Sequence, residues 1–249
     1  MAALPEHAKV VVIGQGGIVG ASVVHHLIEE GWDDIVGLEK SAIPTDIGST
    51  SHASDFCYMT SHDKLNVEIT NYSREFYAKR GNYIKTGGLE VARKNDDERM
   101  IELIRKVGSG KAFGTNAHMI TAAEAKEKFP LLEEDQIQGA MWDPDAGLVT
   151  PRSQKVAGDL VDEAVASGKL RAFAYTPATK LIVENGEIKG VETHKGTIRA
   201  DYVILCVGIW GNLVSETAGV KLPLMPLEHP LLFFGPWDHL EGTGKDIVY

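Results

Sequence analysis

No stretch of this sequence approaches the 18 or more consecutive apolar residues that a membrane-crossing helix needs. Residues 1–9 carry neither a basic n-region nor an apolar h-region, so the expectation is a soluble, cytoplasmic chain without a secretory leader. Cysteine is scarce: Cys57 and Cys206 stand far apart and without metal-ligand spacing, which argues against a disulfide scaffold and predicts no metal site. Cys206 lies in an apolar run, ordinary surroundings for a buried thiol. Positive charge is also short, 25 Lys and Arg against 35 Asp and Glu, and the net charge of −10 is spread widely. With no basic platform for a phosphate backbone, nucleic acid is discounted as a partner. Internal repeats, low-complexity tracts and a clear linker are missing as well. What remains is a chain of 249 residues, 43% hydrophobic, able to bury the core of one large domain or of two interleaved ones.

Residues 10–13 (Val, Val, Val, Ile) are a continuous apolar run ending in glycines, the pattern of a strand buried on both faces of a parallel sheet. Ile18, Val19, Val23 and Leu27 then recur at helical spacing, and Gly31 suits the left-handed position that ends a helix. Residues 35–38 read as a second buried strand, completing a βαβ unit with a right-handed crossover. Further on, Leu65, Ile69, Tyr72 and Phe76 predict an amphipathic helix stopping at Gly81. Leu89 and Val91 predict a strand, and Met100, Leu103, Ile104 and Val107 a helix. Thr121 with Glu124 forms a capping box before a helix ended by Pro130. Pro151 is placed as the first residue of a helix running to Gly168. Asn185 and Gly186, between residues 181–183 and 188–192, predict a two-residue hairpin, and residues 202–207 another buried strand. The fold class that follows is α/β: a Rossmann-like sheet with an interleaved mixed α+β region.

The run Gly14, Gln15, Gly16, Gly17, Ile18, Val19, Gly20 falls where a strand turns into a helix. Glycines there serve a tight turn, the approach of a pyrophosphate to the backbone, and close packing of helix on strand. The helix N-terminus adds N–H groups and the positive end of its dipole. Glu39 directly follows the second strand, 19 residues beyond Gly20, where a carboxylate accepts from ribose hydroxyls and disfavours a 2′-phosphate. The run departs from the usual spacing by one residue. Counted from Gly14, the last glycine position holds Val19, and the match shifts to Gly17 and Gly20, so a bulged turn is expected. The motif predicts dinucleotide binding without separating FAD from NAD.

Glu39 and Lys40, followed by Gly48, Ser49, Thr50, Ser51, His52 and Ala53, resemble the dimethylglycine oxidase and dehydrogenase branch of the D-amino-acid-oxidase-like (DAO) FAD-dependent oxidoreductases. The resemblance extends through Gly87, Gly88, Leu89, Glu90 and Val91, through Asp145, Ala146, Gly147 and Leu148, and through Cys206, Val207 and Gly208 beside Trp210. It implies FAD as cofactor, joined covalently through its 8α-methyl to His52, with Gly208 near the cofactor and Ala178 near the adenine. Ser49, Thr50 and Ser51 suit the pyrophosphate. Residues 1–60 and 151–220 are assigned mainly to FAD and residues 61–150 and 221–249 to the substrate side. The implied reaction is oxidative demethylation of a small N-methylated amine, with His229 aligned to an active-site histidine that keeps the amine neutral. His25, His26, His62 and His118 read as surface or packing residues, Trp142 and Trp210 as core, and Asp143 and Asp145 as turn residues. Members of this branch continue well past the point matching residue 249, so a C-terminally truncated chain is expected, completed by a further domain or a partner chain. Two alternatives stay open: a non-catalytic FAD-fold fragment or partner subunit, and an NAD-dependent dehydrogenase.

Overall fold

The computed structural model describes residues 3–228, 230 and 232. In chain order the elements are β1 (His7–Ile13), α1 (Ile18–Glu29), β2 (Ile35–Leu38), β3 (Phe56–Cys57), α2 (Lys64–Lys79), β4 (Tyr83–Ile84), β5 (Gly88–Arg93), α3 (Asp97–Ala112) and β6 (His118–Ile120). There follow α4 (Ala122–Lys128), β7 (Ile137–Asp143), β8 (Gly147–Val149), α5 (Ser153–Ala166), β9 (Leu170–Phe173), β10 (Ala178–Glu184), β11 (Glu187–Thr193), β12 (Gly196–Leu205) and α6 (Gly211–Ser215). Two compact units emerge, one from Met1–Ala53 with Pro151–Leu231, the other containing Ser54–Thr150. No helix among the described residues is long and apolar enough to cross a membrane.

The first unit is a six-stranded sheet in the order β10-β11-β12-β1-β2-β9. β1 runs parallel to both β2 and β12, and β2 parallel to β9, as a βαβ unit requires. Val10, Val11 and Val12 are all buried because β1 is covered on both faces. Val11, Ile13, Val36 and Leu38 pack into one cluster with Leu181, Val191 and Ile198 of the antiparallel strands. The helix α5 buries Val156, Ala157, Leu160, Val161 and Ala164, a stripe at helical spacing, and packs against α1.

Asn185 (φ 54°) and Gly186 (φ 80°) both take the left-handed region, the conformation that a two-residue hairpin of this hand needs. β12 begins at Gly196 rather than near residue 202 and ends at Leu205, leaving Cys206 and Val207 outside it. The extra length comes from a second hairpin in which Thr193 pairs with Gly196, around His194 and Lys195. The Thr193 hydroxyl donates to the Gly196 carbonyl at 2.8 Å and accepts from Lys195 N at 3.1 Å, so a side chain closes a turn that lacks Asn-Gly chemistry. Pro151 is not the first helical residue. Arg152 is extended (φ −166°, ψ 150°) and is the N-cap, so α5 starts at Ser153.

The second unit holds two antiparallel three-stranded sheets, β3-β8-β4 and β5-β7-β6, with α2, α3 and α4. The capping box forms as expected: Thr121 Oγ1 accepts from Glu124 N at 3.2 Å and Glu124 Oε2 accepts from Thr121 N at 2.7 Å. Leu103 and Val107 of α3 pack with Ala92, Ala117 and Met141. Leu103 is wholly buried. Its truncation to alanine removes apolar contact and leaves a cavity, so Leu103→Ala is expected to cost about 2–5 kcal/mol by denaturant unfolding. A loss well under about 1 kcal/mol would show that this cluster is not a packed core.

Candidate cofactor site

The site grows from the turn between β1 and α1. Gly14 N donates to Leu38 O at 2.8 Å, joining the end of β1 to the end of β2. A Cβ on Gly20 would lie 2.3 Å from the Gly14 carbonyl oxygen, so α1 is pressed directly against the strand end. Counted back from Gly20, the motif's three positions fall on Gln15, Gly17 and Gly20, and the extra residue is taken up at Gly14 (φ 86°). Gln15 thus stands where a glycine is usual. It is fully buried, and neither amide atom has a partner among the described residues. Gly37 makes room for it, since a Cβ there would be 2.4 Å from Gln15 Cγ. Gly17 has another role: a Cβ would meet nothing closer than 3.5 Å, so here absence of a side chain keeps the groove open rather than relieving a clash.

Glu39 is 5% exposed and its carboxylate is committed on both oxygens. Oε2 accepts from Gly16 N at 3.2 Å, and Oε1 from Ser41 N at 3.1 Å and from the Ser41 hydroxyl at 3.3 Å. The Glu39 backbone carbonyl accepts from Thr176 N at 2.7 Å, which ties in the chain that leads to Ala178 and β10. The N-cap of α1, Gly17, brings no side chain to the helix end. Thr50 supplies that function from the following loop, its Oγ1 accepting from Ile18 N at 3.0 Å. Lys40 Nζ lies 3.4 Å from the centroid of the Trp210 ring. Burial lowers the Lys40 pKa below the usual lysine value, and the Glu39 carboxylate opposes that shift.

These residues surround a groove of about 370 Å³, the size of a small-molecule site. Of the residues singled out in the sequence, Gly14, Gly17, Glu39, Lys40, Ser49, Thr50, Ala178 and Gly208 line it. Gly16 and Gly20 act one layer below, through Glu39 and the strand end. Trp210, read from sequence as a core residue, is half-buried and lines the groove, because the single 3₁₀ turn Gly208–Trp210 carries it to the rim after β12 ends. Sequence reasoning also passed over Thr176 and Pro177, although a Thr-Pro pair between strands is a turn signal. The groove fits a dinucleotide in three respects: an open backbone at Gly17, a helix N-terminus at Ile18, and a buried carboxylate at Glu39.

Ser51 and His52 are not among the groove-lining residues. His52 is exposed, and its Nδ1 lies 3.0 Å from the Gly48 carbonyl and 3.0 Å from Ser51 Oγ. A carbonyl only accepts, so Nδ1 is the donor in this contact and Nε2 makes no part of it. Arg152 donates from one guanidinium nitrogen to the carbonyls of Ser51 and Ala53, both at 3.3 Å, on either side of His52. Gln154 Nε2 donates to Thr45 O at 2.8 Å, so the start of α5 holds this loop at two points. His229 lies outside the described residues.

The two glycines separate fold from ligand. Gly20→Ala should destabilise the apo chain, because its Cβ meets rigid backbone. Gly17→Ala should leave the melting temperature unchanged while weakening FAD binding about tenfold or more, its methyl group intruding where a phosphate approaches. Equal FAD affinity in Gly17→Ala and wild type, measured by flavin fluorescence, would remove Gly17 from the site.

Mitochondrial pyruvate dehydrogenase phosphatase regulatory subunit of Mus musculus is 32% identical over 245 residues, covering 95% of this chain and 27% of the relative. Mitochondrial sarcosine dehydrogenase of Homo sapiens is 31% identical over 239 residues, 91% of this chain and 25% of the relative. The 4-methylaminobutanoate oxidase (formaldehyde-forming) of Paenarthrobacter nicotinovorans is 29% identical over 242 residues, 91% and 27%. The chain therefore spans about a quarter of the length of these relatives. Among solved structures, L-proline dehydrogenase from P. horikoshii superposes with a TM-score of 0.77 at 31% identity, over 88% of this chain and 57% of that one. Because residues 9–247 match the FAD dependent oxidoreductase (DAO) family, this chain belongs to that family, whose members use FAD.

Proposed function

We propose that the chain is the cofactor-binding portion of a FAD-dependent oxidoreductase that oxidises the C–N bond of an N-methylated amine or amino acid. The observation that carries this reading is the groove itself, in which Glu39, Gly17 and the Thr50 cap converge beside the loop that bears His52. The names of the sarcosine dehydrogenase and 4-methylaminobutanoate oxidase relatives support the substrate class. FAD, when bound, supplies the acceptor for hydride. The chain's own residues do the rest. Glu39 accepts from the ribose hydroxyls, Gly17 and the first turn of α1 receive the pyrophosphate, and Ser49 with Thr50 closes that end. His52 is the proposed attachment point, its ring oriented by the Nδ1 contact to the Gly48 carbonyl and its loop held by Arg152 on the flanking carbonyls. His229 is the proposed base that keeps the substrate amine unprotonated, since a protonated nitrogen has no lone pair with which to expel hydride. Residues 61–150 and 221–249 are assigned to the substrate side, completed by a further segment or partner chain.

A second reading has its own support. The regulatory-subunit relative, 32% identical, belongs by name to a regulatory protein, so a FAD-fold partner subunit without turnover is the competing function.

Acid precipitation tests the attachment. Wild-type protein reconstituted with FAD should keep its yellow colour in the pellet, and His52→Ala should release it to the supernatant. Release from both proteins would sink the covalent link and retain the flavoprotein. Colour retained in wild type, with no bleaching by N-methylglycine or 4-methylaminobutanoate even after complementation with the missing portion of a relative, would favour the regulatory reading.

A further inference from the structure

Arg152 is exposed and is not among the groove-lining residues, yet its guanidinium is tied to the loop that bears His52. One nitrogen, Nη2, donates to the carbonyls of Ser51 and Ala53, so the cation brackets the residue between them. The loop is wound on itself up to that point. Ser51 N donates to Gly48 O and His52 N to Ser49 O, both at 3.2 Å, and the Ser51 hydroxyl donates to Gly48 O at 2.8 Å. The carbonyls that follow such turns lack the next N–H in the series, and a cationic donor satisfies them. The other end of the contact is firm, because Arg152 is the N-cap of α5, which buries Val156, Leu160 and Val161. Two positions on, Gln154 holds Thr45 O at 2.8 Å, and Gly158 leaves room for Pro44, since a Cβ there would lie 3.2 Å from the proline ring. The start of α5 thus grips loop 44–53 near both ends, with Arg152 on the residues that flank His52.

We propose that Arg152 is a positioning residue for covalent flavin attachment: by fixing the carbonyls on both sides of His52 it holds the imidazole where the bond forms. This rests on the reading of His52 as the attachment point. Attachment removes the imidazole N–H and one C–H of the flavin 8α-methyl, both as protons, and makes one C–N bond. The electron pair of the broken C–H bond enters the flavin ring and passes on to dioxygen, which takes up two protons to give hydrogen peroxide. The share of Arg152 is placement, and displacing a reacting group by about 1 Å costs on the order of 100-fold in rate. Its effect falls on the rate of bond formation rather than on FAD affinity, because it lines no part of the groove.

The test incubates the 249-residue chain with FAD in air and follows the flavin fluorescence that stays with the protein after denaturing electrophoresis. Arg152→Met should slow attachment about tenfold or more at an unchanged melting temperature. Arg152→Lys, which keeps a cation with hydrogens for both carbonyls, should recover part of that rate. Affinity is read in the His52→Ala background, where FAD stays exchangeable, and adding Arg152→Met there should change it by no more than about twofold. Attachment as fast in Arg152→Met as in wild type overturns the proposal and leaves His52 standing. A loss of affinity in the double variant that matches the loss of rate also overturns it, since Arg152 then braces the binding site. No attached flavin in the wild type overturns both the proposal and the attachment reading.

Discussion

The close approach of α1 to the end of β1 is the constraint on which the rest of the first unit depends. At Gly20 the helix backbone lies against Gly14 and Gln15 with no space for even a methyl group. That contact fixes where the helix begins, brings Ile18 N to Thr50 Oγ1, and sets Gly17 and Val19 on the groove. It also aims the positive end of the helix dipole into the same space. β1 cannot shift to relieve the crowding, because β2 and β12 hold it from both sides by parallel ladders.

Glu39 is the second tie, and it is electrostatic. A carboxylate this buried is stable only where donors surround it, and Gly16 N, Ser41 N and the Ser41 hydroxyl are those donors. The same bonds draw the glycine turn and the chain after β2 together. A ribose bound at this point would bring donors to a carboxylate whose position is already set, so little side-chain ordering would be left for binding to bring about. Loop 44–53 is organised from the opposite side by α5, through Arg152 and Gln154, which is why a segment rich in Ser, Thr and Gly takes a defined path.

Much of this was legible in the sequence because it follows from local rules. Parallel strands betray themselves as unbroken apolar runs, and residues 10–13 and 35–38 are such runs. The Asn185-Gly186 turn and the Thr121–Glu124 capping box are short-range chemistry, complete within a few residues, and both form as expected. The early part of β12 was illegible for the converse reason. Its turn is closed by the Thr193 hydroxyl and not by Asn-Gly, and its alternating polar pattern carries no buried run. The placement of the start of α5 at Pro151, two residues early, has a similar origin, since the N-cap role of Arg152 depends on an extended backbone that composition does not announce.

The sequence by itself determined the class of fold, the glycine turn, and the acid that follows β2, because each is a relation between neighbours along the chain. Only the tertiary structure decided which motif glycine does what: Gly20 packs, Gly17 opens, and Gln15 occupies the remaining position over Gly37. It alone brought Thr50 to the helix end, Arg152 to both flanks of His52, and Trp210 to Lys40 across 170 residues of chain. These are contacts between segments distant in sequence. They exist because the parallel sheet brings the ends of β1, β2 and β12 to one edge, and no local pattern encodes which side chains meet there.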